Sequence, residues 1–104
     1  FIVMELCNGG TLYDHLVKLR NFSEAQAAIS LLQITRAVSY LHKTDICHRD
    51  IKPANVLVLT KDPVEKASLR LTDFGLSCHC SQGQVLNERV GTLAYMSPQV
   101  LNKN

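Results

Sequence analysis

The sequence predicts an α+β fold, and three observations carry that expectation. Apolar residues recur at helical steps through Ala27, Leu31, Ile34, Val38 and Leu41, which makes one stripe along a long helix. Two short β-type runs, Val56-Leu57-Val58-Leu59 and Leu69-Arg70-Leu71-Thr72, flank a polar segment broken by Pro63. That pattern reads as a hairpin with a long loop. The helical pattern occupies the first half of the chain, and the hairpin with an irregular loop the second. At 104 residues there is room for one domain and not for two cores. With 46% hydrophobic and 19% charged residues, the composition is that of a globular chain and excludes disorder, collagen or a coiled coil.

Each element has its own justification. Residues 1–6 are short and apolar and end at the turn-forming Asn8-Gly9-Gly10, so they read as a strand running into a loop. Residues 11–19 carry Leu12, His15, Leu16 and Leu19 at helical spacing and break at Asn21-Phe22. Ser23 then begins a capping box with Gln26, its hydroxyl accepting from an exposed amide while Gln26 reaches back. The long helix ends near His42-Lys43, where a cationic lysine suits the C-terminal dipole. Its stripe is expected to be buried as part of the core. After Gly75 the pattern dissolves into a polar stretch rich in Ser, Gln, Asn and Gly that reaches about Asn87.

The formal charge of +2, without a run of Lys or Arg, gives no reason to expect nucleic acid or an anionic membrane as partner. No apolar stretch approaches the roughly 20 residues of a spanning helix, and no signal-peptide pattern is present. The cysteines are Cys7, Cys47, Cys78 and Cys80. Cys78-His79-Cys80 beside Cys47-His48 invites a zinc reading, but structural zinc sites space their paired cysteines about two to four residues apart. Reduced thiols in a cytoplasmic chain are expected instead. The chain opens at Phe1 inside an apolar run, without an initiator Met, and is expected to be a piece of something longer.

The chemistry lies at the ends of the hairpin. His48-Arg49-Asp50-Ile51-Lys52-Pro53-Ala54-Asn55 precedes the first strand, and Asp73-Phe74-Gly75 follows the second. A hairpin brings its ends together, so Asp50, Lys52, Asn55 and Asp73 are expected to converge. Two carboxylates, an amide oxygen and an ammonium suit a magnesium-phosphate site, because Mg²⁺ takes hard oxygen ligands and completes its shell with phosphate and water. The lysine can neutralise charge on a transferring phosphoryl group, and a free carboxylate can orient a hydroxyl and accept its proton.

These motifs, with Gly91-Thr92-Leu93-Ala94-Tyr95-Met96-Ser97-Pro98-Gln99 further on, resemble the middle of a eukaryotic protein kinase domain. The resemblance covers essentially the whole chain and implies a protein-kinase-like fold. It divides the chain into a hinge (1–10), a helical part (11–43), a catalytic loop (46–55), the hairpin (56–72), and a magnesium motif with activation segment (73–99). By resemblance, Asp50 is the catalytic base, and Asn55 and Asp73 hold Mg²⁺ ions that bridge the phosphates of ATP. Lys52, two residues after the base, and Thr92, which supports Asp50 and Lys52, resemble the serine/threonine class. Gly91 and Thr92 fall to the substrate side, and protein Ser or Thr hydroxyls are the implied acceptors.

The first residues resemble the hinge. Met4 stands at the gatekeeper position, the backbones of Glu5 and Cys7 face the adenine edge, and Leu57 packs beneath the ring. Ser77, the long hairpin loop and Gly91-Thr92-Leu93-Ala94-Tyr95 resemble the calcium/calmodulin-dependent and calcium-dependent branch, which implies calcium or calmodulin regulation outside this chain. Arg49 resembles the arginine that, in many kinases, waits for a phosphorylated loop residue. Glu88 occupies that loop position, so a carboxylate could pair with Arg49 without phosphorylation.

Three departures are visible. Ser97-Pro98-Gln99 replaces the usual Ala-Pro-Glu, and neutral Gln99 cannot make the glutamate's ion pair. Ala54 stands where the calcium-dependent branch often has Glu. No Gly-x-Gly-x-x-Gly and no strand lysine precede the hinge. The 104-residue chain alone is therefore expected to be inactive. The rival readings are a pseudokinase or interaction module, and a small-molecule phosphotransferase. Intact Asp50, Lys52, Asn55 and Asp73 oppose the first; Arg49 and the Gly-Thr…Tyr…Pro segment oppose the second.

Overall fold

Two capping boxes start the main helices. Thr11 N–H donates to the Asp14 carboxylate at 2.9 Å while Thr11 Oγ1 accepts from Asp14 N–H at 3.1 Å. Ser23 and Gln26 repeat the exchange at 2.8 and 3.1 Å, as expected from the sequence. Each box satisfies two amides that a helix start leaves unpaired. The structure, a computed structural model, describes residues 1–102. Its elements are α1 (Leu12–Leu19), α2 (Glu24–Lys43), β1 (Ile46–Cys47), β2 (Val56–Val58), β3 (Leu69–Leu71), β4 (Cys78–His79) and α3 (Pro98–Leu101). Short 3-10 turns lie at Pro53–Asn55, Val64–Lys66 and Leu93–Tyr95.

β2 and β3 form the expected antiparallel hairpin, with Val56 opposite Leu71 and Val58 opposite Leu69. A second ladder pairs β1 with β4, Ile46 opposite His79 and Cys47 opposite Cys78. The sequence shows no sign of β4 within residues 76–87, because a two-residue strand is too short to show alternation. The core is Leu12, Leu41, Val56, Val58, Val64 and Ala67. α1 packs on β2 and the 53–55 turn, and α2 on β1, β3 and the 64–66 turn. No helix among the described residues is long and apolar enough to cross a membrane.

Two expectations need correction. Residues 1–6 form no strand: the run is exposed and has no strand paired to its backbone among the described residues, and an isolated strand has no ladder to hold it. Pairing begins only at Asn8 and Gly9, whose N–H groups donate to Leu59 O at 3.1 Å and Val58 O at 2.9 Å. A Cβ on Gly9 would sit 2.2 Å from Thr60 O, so only glycine permits that approach. The α2 stripe is also rotated in its first half. Leu41 is buried and Ile34 and Val38 half-buried, but Ala27 and Leu31 face solvent. Gln33 takes the inward position, donating to Ala67 O at 3.0 Å and accepting from Leu69 N–H at 2.9 Å. A half-buried backbone amide and carbonyl need a polar partner, which a leucine cannot supply.

Candidate active site

The hairpin does bring its ends together. Thr72 N–H donates to Asn55 O at 2.9 Å, one step beyond the β2–β3 ladder. His48, 2% exposed, ties the two loops a second time. Its Nδ1 accepts from Asp50 N–H at 3.1 Å, so Nε2 carries the proton and donates to Thr72 O at 2.8 Å. The imidazole also meets the Phe74 ring edge-on, with centroids 4.8 Å apart. The segment before β2 and the segment after β3 are thereby fixed to each other through one buried, neutral side chain.

Around that tie the polar groups converge. Thr92 Oγ1 donates to Asp50 Oδ1 at 2.6 Å and accepts from Lys52 Nζ at 2.7 Å. Lys52 Nζ lies 3.9 Å from Asp50 Oδ2. Asn55, buried on the 53–55 turn, donates through Nδ2 to Asp50 O at 2.9 Å and to Asp50 Oδ2 at 3.1 Å. The Thr92 hydroxyl, foremost, and then Lys52 and Asn55 hold the Asp50 carboxyl below its usual range, although burial opposes them. Asp73 follows Thr72 directly in the left-handed region, at φ 59°, and its Oδ1 accepts from Gly75 N–H at 3.4 Å. Left-handed backbone is uncommon for a residue with a side chain.

Residues 76–92 fold back on the same segment. Arg49, also left-handed at φ 71°, donates from Nε to Leu76 O at 2.7 Å and pairs with Glu88 at 3.3 Å. The Arg49 side chain is 13% exposed and that of Glu88 71%. Gly91 has φ 122°, and a Cβ there would lie 2.7 Å from Arg49 O. Glycine is required at that crossing both by conformation and by space.

The residues matched to the hinge are not gathered into one pocket. Met4 is exposed, Cys7 and Leu57 are half-buried, and Glu5 pairs with Arg70 at 3.0 Å, Arg70 being opposite Leu57 in the hairpin. Two cavities, of about 790 and 800 Å³, are lined by none of these four. Among the described residues no group of three or more His, Cys, Asp or Glu could hold a metal ion. Sequence reasoning did not single out His48, although its signal was present: a histidine two residues before Asp50 can bond that residue's N–H through Nδ1.

The hairpin and the loops tied through His48 thus gather Asp50, Thr92, Lys52 and Asn55 into one polar cluster. The chain belongs to the protein kinase domain family, whose match covers residues 1–104. It is 45% identical over 103 residues to calcium-dependent protein kinase 12 of Arabidopsis thaliana. It is 42% identical over 103 residues to calcium-dependent protein kinase 2 of Oryza sativa subsp. japonica, and 40% over 103 to calcium-dependent protein kinase 29 of Arabidopsis thaliana. Each alignment covers 99% of this chain but only 21, 20 and 19% of those relatives, so the chain spans about a fifth of their length.

Proposed function

We propose that these residues are the catalytic segment of an intracellular protein serine/threonine kinase that transfers the γ-phosphoryl group of ATP to protein hydroxyls. The observation that carries this reading is the triangle of Asp50, Thr92 and Lys52. Asp50 is ionised at neutral pH, and its two oxygens are held separately by Thr92 and Asn55. A carboxylate so stabilised is a weak base, which suits orienting a hydroxyl and taking its proton late, once phosphoryl transfer has made it acidic. Lys52 is placed to offset negative charge on the transferring group while its partner Thr92 keeps it beside the base.

The donor set also fits Mg²⁺. Among the described residues both side-chain hydrogen bonds of Asn55 use its nitrogen, which leaves the amide oxygen as a ligand, and the Asp73 carboxylate has one long contact. Asn55 and Asp73 would hold the metal, which when bound neutralises phosphate charge. Two protein oxygens are too few for a closed metal cage, in keeping with a site completed by phosphate and water. Met4, Glu5, Cys7 and Leu57 would face the adenine, and Gly91 and Thr92 the protein substrate. The names of the relatives support calcium regulation, exerted from outside these residues.

The test is Asp50→Asn in the full-length protein. The expected loss is about 10²–10⁴-fold in kcat, the usual contribution of a positioned base, with ATP affinity nearly unchanged. Loss of ATP affinity without loss of kcat would show that Asp50 has been assigned the wrong role.

A further inference from the structure

Cys47 and Cys78 stand directly opposite each other in the β1–β4 ladder, and the chemistry proposed above uses neither. All four cysteines are free thiols, each half-buried. Cys80 N–H donates to Asp45 O at 2.8 Å. Alternation along an antiparallel ladder then makes Cys47–Cys78 the next hydrogen-bonded pair, whose Cα atoms typically lie about 5.5 Å apart. That Cα spacing falls inside the range of about 4.4–6.8 Å seen in disulfides, while opposed Cβ atoms, about 4.5–5.5 Å apart, must close to about 3.5–4.5 Å as the bond forms. Opposed residues project to the same face of the ladder. Cys80 is diagonal to Cys47, where Cα separations are about 7–8 Å and too long for a bond. The Cys80 sulfur is turned instead towards Gln84 O at 3.8 Å and Ser81 O at 4.0 Å.

The ladder is accessible, both of its cysteines being half-buried. A cavity of about 800 Å³, lined by Cys47, Cys80, His42, Asp45 and Gln84 among others, opens beside it. Cys7 lies in the N-terminal run and belongs to neither strand of this ladder.

We propose that Cys47 and Cys78 form a reversible cross-strand disulfide when the protein meets a peroxide. The Cys78 thiolate attacks a peroxide oxygen; the O–O bond breaks, a sulfenic acid forms, and one water leaves when the peroxide is H₂O₂. The Cys47 sulfur then attacks the sulfenic sulfur, so that the S–S bond forms, the S–O bond breaks and a second water leaves. Two thiols are oxidised and one H₂O₂ is reduced to two waters. Burial, foremost, and the nearby Cys78 and Cys80 push the Cys47 thiol up. Thiolate is therefore scarce at Cys47, which suits the second step better than the first. A small dithiol reductant reverses the bond by exchange. Cys47 is three residues before Asp50 and Cys78 five after Asp73, so the bond clamps both ends of the candidate site at a fixed spacing. Bond formation does not depend on the kinase reading.

The experiment treats reduced full-length protein with stoichiometric hydrogen peroxide, blocks the remaining thiols by alkylation, and maps tryptic peptides without reduction. The expected result is a loss of two thiols, with peptide 44–49 linked to peptide 71–89, reversed by dithiothreitol. The link persists in Cys80→Ser and is lost in Cys47→Ala and Cys78→Ser. A Cys47–Cys80 or Cys78–Cys80 link, oxidation of Cys78 to sulfinic acid without a link, or no loss of thiols would each overturn the proposal. Wild type and Cys80→Ser decide it without the two variants that could disturb the ladder.

Discussion

Replacing Thr92 by Val deletes one oxygen and keeps the shape of the side chain. That oxygen donates to Asp50 Oδ1 at 2.6 Å and accepts from Lys52 Nζ at 2.7 Å. Hydrogen bonds to charged groups contribute about 1.5–3 kcal/mol each. The Lys52 side chain is 23% exposed and can recover a water, whereas that of Asp50, at 10%, recovers one less easily. Counting the Asp50 bond alone, and about 1.4 kcal/mol per tenfold, kcat should fall by about 10- to 150-fold. KM for ATP should hardly move, because neither bond faces the adenine side. The acid side of the pH–rate profile gives an independent reading. The hydroxyl is the largest cause of the depressed Asp50 pKa, so its removal moves the acidic limb to higher pH. The same shift bears on folding: stability from the depressed carboxyl is present above the ordinary carboxylate range and lost as pH falls through the depressed value. The wild type's advantage over Thr92→Val should therefore narrow in acid. Steady-state phosphorylation by the full-length protein, with ATP varied at several pH values, measures the rate effects, and Thr92→Ser should keep most activity. An unchanged kcat with an unmoved acidic limb, or equal losses in Thr92→Ser and Thr92→Val, would refute the role given to the hydroxyl.

Two further outcomes follow from the segment that folds back on Arg49. Glu88→Ala should lower the phosphorylation rate by up to about fivefold, as an ion pair with one exposed partner contributes about 0.2–1 kcal/mol, while Glu88→Asp keeps most of it. Equal rates for wild type and Glu88→Ala would remove the ordering role of this pair. Gly91→Ala should lower the melting temperature by several degrees, since strained backbone costs about 1–3 kcal/mol and its Cβ would meet Arg49 O at 2.7 Å. An unaltered melting curve would mean that the crossing relaxes freely.

The hairpin, the Ser23–Gln26 capping box and the convergence of Asp50, Lys52 and Asn55 were legible in the sequence because each rests on local spacing. Capping needs only residues three apart, and a hairpin only two β-type runs with a breaker between them. The β1–β4 ladder was not legible, because two residues carry no period and their partner lies more than thirty positions away. The facing of α2 was misjudged for a different reason. Hydrophobicity marks which residues could be buried, but the hairpin loop offered a bare amide and carbonyl, and Gln33 answered them better than Leu31. The apolar run 1–6 likewise had strand composition without a partner, and composition alone makes no ladder. Gln99 replaces the family's glutamate, yet the turn there is still organised, because Ser97 Oγ accepts from Val100 N–H and caps α3.

The candidate site depends on contacts of very different sequence range. His48, Asn55 and Thr72 form a frame held by the hairpin. The orientation of Asp50 within that frame is set by Thr92, 42 positions later. Between these two, residues 76–91 touch the Arg49 region at three places: Leu76 O, the Glu88 carboxylate, and the close backbone crossing at Gly91. Each of these contacts falls on the residue immediately before Asp50. Disturbing any of them shifts the chain that delivers Thr92, so Glu88, Gly91 and Thr92 act along one connected path and their effects are not independent. Arg49 and Asp73 both occupy left-handed backbone at the two ends of this arrangement. Such conformations persist only where the surroundings over-determine them, and the tie through His48 and the return of residues 76–92 supply that constraint. Control of this site therefore lies in how firmly the returning segment is held, more than in the carboxylate itself.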